Sequence, residues 1–127
     1  MKRLLTILTV IAGLIVAWSC SKDYVETYDT LFRTDAEGNS VPRMFTWYDV
    51  TSSTGTLAIV VYYSGEWTVN FADEPDWAYL DKTGGKGVQY IHVGYLQNNS
   101  SNTRALLLKL NCDNGESLDI TINQAGL

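Results

Sequence analysis

Cysteine, histidine and positive charge are all scarce in this chain of 127 residues. Two cysteines, Cys20 and Cys112, and one histidine, His92, are too few for a zinc-finger framework or a disulfide-rich scaffold. Any triad of the Ser-His-Asp or Cys-His kind has only His92 to run through. Nine Lys and Arg stand against fourteen Asp and Glu, and two of the nine, Lys2 and Arg3, lie in an N-terminal stretch that reads as removable. Without them, seven cations face fourteen acids, a formal charge of −7. That balance argues against a binder of nucleic-acid phosphates, whose affinity rests on clustered Lys and Arg. Helical periodicity is missing too: no segment beyond residue 20 keeps the period of an amphipathic helix. What the chain has is apolar and aromatic side chain, 46% and 12% of its residues, which is enough to bury the core of one domain.

Residues 1–19 have the layout of an export signal. Met1-Lys2-Arg3 is a short basic start, and Leu4 to Trp18 is almost wholly apolar. A helix of that length rises roughly 22 Å, short of a ~30 Å hydrocarbon core, which fits a signal peptide better than a permanent span. The run closes on Ala17-Trp18-Ser19-Cys20 before the polar Ser21-Lys22-Asp23. This resembles a bacterial lipobox. The resemblance implies that Cys20 is diacylated on sulfur and becomes the mature N-terminus, its acyl chains anchoring the protein to a membrane at ~0.8 kcal/mol per buried CH₂. The other reading is an ordinary signal peptide cut nearby. With Cys20 acylated, Cys112 has no intrachain partner and no disulfide is expected. Its acidic neighbours and the lack of a nearby cation make Cys112 an inert thiol.

Residues 20–40 read as the acylated cysteine and a polar tether, with a short ordered piece at Tyr28 to Phe32. Asp29-Thr30-Leu31 is similar to the Asp-(Ser/Thr)-aliphatic acceptor of O-glycosylation in some Gram-negative bacteria, which makes Thr30 a candidate modification site. From residue 41 to 127 the pattern is that of strands. Met44 to Val50 and Thr56 to Tyr63 are aromatic and β-branched runs. Trp67, Val69 and Phe71 alternate with Thr68 and Asn70, and Ile91, Val93 and Tyr95 alternate with Tyr90, His92 and Gly94. Trp77 to Leu80 is a short piece, and Gly84-Gly85-Lys86-Gly87 reads as a turn. Ala105 to Leu110 and Ser117 to Ile122 flank Asn114-Gly115, a dipeptide suited to the positive φ angles of a type I′ hairpin. About seven strands predict an all-β, immunoglobulin-like antiparallel β-sandwich.

Several of these residues together resemble the BACON family (Bacteroidetes-associated carbohydrate-binding, often N-terminal). They are Trp67-Thr68-Val69, Trp77, the Gly-rich turn and Val-rich strand, Asn98 and Asn99 with Arg104, and the closing Ile120-Thr121-Ile122-Asn123-Gln124-Ala125-Gly126. The similarity runs from about Val41 to Gly126. It implies an immunoglobulin-like sandwich on exported, often surface-displayed proteins of glycan-degrading gut bacteria, with glycan or mucin as the suggested ligand.

Four tryptophans and eight tyrosines raise the question of sugar binding, because pyranose C–H faces stack on flat rings. The family resemblance places Trp67 and Trp77 in or near the core, where burial of such a ring contributes on the order of a few kcal/mol. Trp47 is open between core and edge. Of neighbouring tyrosines at most one points inward, so Tyr62 or Tyr63, Tyr79, Tyr90 and Tyr95 are the platform candidates. Tyr90, His92, Tyr62 and Tyr79 form the proposed glycan-facing set, with His92 exposed beside Tyr90 and no carboxylate to orient it. Asp73-Glu74-Pro75-Asp76, with Asp81 beyond, lacks the spacing of a calcium loop and reads as a solvated turn, so neither metal nor cofactor is expected. A sandwich this small has little room for a cleft in which paired carboxylates could cleave a sugar chain. Asn98 to Asn102 should cap a loop, with Arg104 pairing locally.

The expected function is therefore non-enzymatic: an outer-membrane lipoprotein, at the cell surface in preference to the periplasmic face, that holds glycans. Lys22-Asp23 partly resembles the tag of surface-displayed lipoproteins. The second reading is a structural spacer or accessory subunit of an outer-membrane uptake complex. An outer strip of flat aromatic rings favours the first, and a contiguous apolar patch above ~400 Å² favours the second.

Overall fold

Alternation of apolar and polar side chains organises the chain, and it is realised along every long strand. In the computed structural model, which describes residues 27–127, these residues form ten strands and no helix. The export signal, Cys20 and the first part of the tether lie outside the described residues. The strands are β1 (Phe32–Thr34), β2 (Ser40–Pro42), β3 (Trp47–Val50), β4 (Gly55–Val61), β5 (Glu66–Phe71), β6 (Ala78–Leu80), β7 (Gly84–Lys86), β8 (Gln89–Tyr95), β9 (Arg104–Cys112) and β10 (Ser117–Gln124). They make a five-stranded sheet in the order β3-β10-β9-β5-β7, a three-stranded sheet in the order β4-β8-β6, and the β1-β2 hairpin. In β9, Leu106, Leu108, Leu110 and Cys112 point inward while Ala105, Leu107, Lys109 and Asn111 point out.

The inner faces of the two larger sheets share one core. Trp67, Val69, Leu108, Leu110, Ile120 and Ile122 from one meet Ile59, Val61, Ile91 and Val93 from the other. This is the β-sandwich that the alternation predicts, and the seven expected strands are β3, β4, β5, β6, β8, β9 and β10. One of the pairings departs from the antiparallel rule, since β3 runs parallel to β10.

The remaining three strands go beyond the expected seven, and each depends on a partner distant in the chain. The Gly84-Gly85-Lys86 stretch is the edge strand β7, paired with β5, rather than part of a turn. Gly85 permits this because a Cβ there would lie 2.7 Å from Cζ2 of Trp67, so only glycine lets the edge close on the indole. The turn contracts to Gly87, whose φ of +86° suits glycine. β1 and β2 lie in or beside the expected tether, and among the described residues the packing reaches back to Tyr28, so the domain boundary at residue 41 falls inside it. Leu31 is fully buried, its N–H bonds Oε1 of Glu116 (2.8 Å), and its carbonyl accepts from Arg43 N–H (2.8 Å). Tyr28 N–H donates to Oγ of Ser64 (2.7 Å). A buried leucine with satisfied backbone groups makes residues 28–44 a strap across the sandwich.

The Asn114-Gly115 hairpin forms, with a loop longer than a two-residue type I′ turn. Gly115 N–H bonds the Cys112 carbonyl (3.0 Å), and Cys112 N–H bonds the Glu116 carbonyl (2.9 Å). The loop is thus Asp113 to Gly115, with Gly115 at φ +91°. Asn114 is drawn elsewhere: its Oδ1 accepts from Glu116 N–H and its Nδ2 donates to the Asp29 carbonyl.

Five of the residues that carry the family resemblance, Trp77, Asn98, Arg104, Gln124 and Gly126, gather at one end of the sandwich, while Trp67 and the Gly-rich stretch lie at the other, beside Cys112. Arg104 stacks over Trp77 with Cζ 3.9 Å from the ring centre, donates from Nε to Gln124 (2.7 Å), and from Nη2 to the Leu96 and Gln97 carbonyls. Gln124 is fully buried and donates to the carbonyls of Ser52 and Leu96. Asn98, also buried, ties its loop to the Asn102 and Ala125 carbonyls. A Cβ at Gly126 would sit 2.5 Å from the Ser101 backbone, so glycine is required there. Asn98 caps its loop as expected, whereas the side-chain partners of Arg104, Gln124 and Trp77, are distant in sequence and not local.

Candidate functional site

The outer face of the three-stranded sheet carries an aromatic strip. On β8, Ile91 and Val93 are fully buried, so Tyr90, His92 and Gly94 face out. On β6, Tyr79 sits opposite Gly94, with Ala78 and Leu80 turned toward the core. Tyr79 and Tyr90 are 59% and 60% exposed, far more than a folded domain needs for its own packing. The rings of Tyr90 and His92 are centred 6.5 Å apart and tilted by 30°, matching the ~6.6 Å between same-face positions of one strand.

Two features fix this strip. Gly94 provides a seat for Tyr79: a Cβ at Gly94 would lie 2.2 Å from Cζ and 2.4 Å from Cε2 of that ring, so the phenol lies on bare backbone. An isolated glycine within a strand often marks such a close approach. Asp81, just past β6, orients His92. Its Oδ1 accepts from His92 N–H (2.8 Å), its Oδ2 lies 2.9 Å from Nδ1, and Asp81 N–H bonds the His92 carbonyl (3.1 Å). The expectation that no carboxylate orients His92 is therefore wrong. β6 and β8 pair antiparallel, which brings together residues eleven apart in sequence. The hydrogen bonds from His92 N–H and its ring hold the Asp81 carboxyl below its ordinary range. An ionised carboxylate only accepts, so the neutral ring carries its proton on Nδ1 and leaves Nε2 as an acceptor toward solvent. The site thus offers three flat rings, a fixed ring acceptor and phenolic hydroxyls on an open face.

Other candidates are placed differently. Tyr62 is half-buried in an edge-to-face contact with Tyr28, ring centres 5.6 Å apart, and belongs to a separate cleft. Tyr63 and Tyr95 are buried. The Tyr63 hydroxyl donates to Asp113, which with burial pushes its pKa up to about 12. Trp67 is buried and Trp77 half-buried under Arg104, whereas Trp47 lies at the exposed edge, with Nε1 bonded to Asp49 (3.0 Å). The Thr30 hydroxyl donates to Glu116 (2.5 Å). Cys112 is free and buried, and burial lifts its pKa to about 11. No group of three or more potential metal ligands occurs among the described residues.

No family model and no curated protein matches the chain. Solved structures do. A GH5 xyloglucanase from Bacteroides ovatus, in complex with a XXXG heptasaccharide, superposes with a TM-score of 0.60 at 14% identity, over 76% of this chain and 19% of its own. A protein from Bacteroides thetaiotaomicron, solved by NMR, gives a TM-score of 0.51 at 11% identity, over 80% of this chain and 92% of its own. At these identities the likeness shows the fold alone, and this chain spans only 19% of the xyloglucanase.

Proposed function

We propose that this protein is a non-enzymatic, BACON-like glycan-binding module, exported and anchored through acylated Cys20 at the outer membrane. The observation that carries this reading is the line of Tyr79, His92 and Tyr90 on the outer sheet, two of its rings more than half exposed. Leaving such rings in water forgoes burial of on the order of a few kcal/mol each, a cost that stacking against a sugar face offsets. Nε2 of His92 and the phenolic hydroxyls supply the polar partners that sugar hydroxyls need. Rings exposed in a line along one sheet face suit holding a polysaccharide chain. The sandwich shared with part of a xyloglucanase makes xyloglucan a sensible first ligand beside mucin.

Electrophoresis through native gels containing xyloglucan, xylan or mucin tests this. The protein carrying Cys20→Ser is expected to be retarded by at least one polymer, and the Tyr79→Ala, Tyr90→Ala double variant to run as in a plain gel. Equal retardation of both proteins would overturn the reading.

A docking role in an uptake complex draws support from a different face. Phe45 is 78% and Trp47 59% exposed on and beside β3, and Leu107 is exposed on the same sheet. Trp47 and Leu107 flank Thr121 in register. Co-purification with an envelope protein that Trp47→Ala abolishes, together with no polysaccharide retardation, would favour it.

A further inference from the structure

A second site appears once the cations are accounted for. The described residues hold six Lys and Arg against twelve Asp and Glu. Lys109 pairs with Asp119, Lys82 donates to Gln89, and Arg104 is spent on Trp77, Gln124 and backbone carbonyls. The charge of Lys86 acts on Asp113. Arg33 and Arg43 are left, and among the described residues neither is in an ion pair, despite the twofold excess of acid.

Both line one cleft of about 280 Å³, whose other walls are Tyr28 and Tyr62. Arg43 is held in place there. Its Nε donates to the Thr30 carbonyl (3.1 Å), and its Cζ stands 5.1 Å from the centre of the Tyr28 ring, within cation–π range. With Nε committed to the strap, the two terminal nitrogens form the free end of the guanidinium fork. Arg33 sits on β1, opposite Val41 of β2. Two guanidinium groups in one cleft repel each other, and an oxyanion between them removes that repulsion while taking short charge-assisted hydrogen bonds. Tyr28 and Tyr62, packed edge to face, form the aromatic wall beside them.

We propose that this cleft binds the oxyanion substituent of an acidic sugar residue, a uronate carboxylate or a sulfate ester, with the sugar ring beside Tyr62. The volume lies at the small end of ligand pockets, which suits one sugar unit rather than a chain. A lipid phosphate shares the oxyanion chemistry. However, attraction to an anionic bilayer is built from clusters of roughly four to eight basic residues, and this cleft has two. The inference rests on the glycan-binding reading and adds to it a preference for acidic glycans, read at a place separate from the Tyr79–His92–Tyr90 strip.

The test is a titration of the protein carrying Cys20→Ser, followed by amide NMR and calorimetry, with a galacturonate trisaccharide, a chondroitin sulfate tetrasaccharide, a neutral xyloglucan heptasaccharide and phosphatidylglycerol vesicles. At least one acidic oligosaccharide is expected to shift the resonances of Tyr28, Arg33, Arg43 and Tyr62, with the neutral sugar leaving them still. Arg33→Gln, at an exposed position, should weaken that binding roughly tenfold, as loss of one charge-assisted pair implies. Arg43→Lys, which keeps the charge and loses the fork, should weaken it as well, and Lys109→Gln, which removes a cation outside both sites, should leave it unchanged. Silence of the cleft toward both acidic sugars overturns the proposal, as does unchanged affinity in a folded Arg33→Gln variant. A response confined to phosphatidylglycerol vesicles overturns it in favour of a lipid headgroup. Neutral-sugar binding at the aromatic strip beside a silent cleft sinks this inference alone, and acidic-sugar binding in the cleft beside a silent strip sinks the strip alone.

Discussion

Replacing Gly94 with alanine separates the stability of the aromatic face from its use. Gly94 is not one of the glycines at positive φ, which are Gly38, Gly87 and Gly115, so the strand backbone accepts alanine. Restricting the unfolded chain then contributes ~0.4–1 kcal/mol toward folding. Against this, the new Cβ would lie 2.2 Å from Cζ of Tyr79, and something must move. The atoms it meets belong to the free end of an exposed side chain, so the phenol swings off the sheet and the strands stay paired. Losing the packing of that ring costs ~0.5–1.5 kcal/mol, the usual scale of an aromatic contact. The two terms nearly cancel, and the melting temperature should move by only a few degrees. Binding responds differently. A ligand deprived of one stacking partner loses ~0.5–1.5 kcal/mol, a two- to tenfold rise in Kd. Thermal melting by circular dichroism and affinity electrophoresis on the same sample measure the two effects. A Gly94→Ala protein that melts normally and binds like the parent refutes the claim that Tyr79, seated on Gly94, is part of the platform.

Three further outcomes follow from the strap and the buried thiol. Glu116→Ala leaves the Leu31 N–H without its acceptor beside a fully buried side chain, a loss of ~1–3 kcal/mol. The expected drop in melting temperature is about 10 °C, and Glu116→Gln, which keeps an acceptor oxygen, should lose less than half of that. The second outcome concerns acid. Burial raises the pKa of Glu116, but hydrogen bonds from Thr30, Leu31 and Asn114 outweigh it, so the net shift from 4.5 is downward. Asp113 and Asp81 are held below 3.8 by hydrogen bonds from Tyr63 and from His92 respectively. Carboxylates depressed in the fold stabilise it fully above their unfolded pKa, and that stability is lost as the pH falls through about 4.5 and on below 3.8. Denaturant titrations from pH 7 to pH 2 should show a flat upper region and a decline starting near pH 5; stability that rises on acidification contradicts the assignment. Third, Cys112 should resist iodoacetamide at pH 8 in the native protein and react once guanidinium unfolds it, read by mass shift.

The fold was legible because its dominant signal is local. Alternation places Ile91, Val93, Leu106, Leu108 and Leu110 on one side without knowledge of partners, and the same alternation exposes Tyr90 and His92. What escaped was set by pairing across the chain. Asp81 read as part of an acidic loop because its role depends on β6 lying beside β8. Gly85 read as a turn residue because the indole that it admits stands eighteen positions earlier. The strap was hidden for a related reason: Asp29, Asp35 and Glu37 make residues 21–40 look like a solvated spacer, whereas one leucine and one distant glutamate hold them to the core. Trp47 could not be assigned from sequence because an edge strand presents the same alternation as a central one. The Arg33–Arg43 cleft combines the strap and its β1-β2 hairpin with Tyr62, just past β4, and no local pattern announces it.

The most direct measurement of the central claim is the amide and side-chain shift map of the three-stranded sheet on adding a retained polysaccharide fragment. The account predicts shifts centred on Tyr79, Tyr90, His92 and Gly94, saturable and removed by Tyr90→Ala. Saturable shifts confined to Trp47 and Phe45 on the opposite sheet, with the β6–β8 face unmoved, would contradict it.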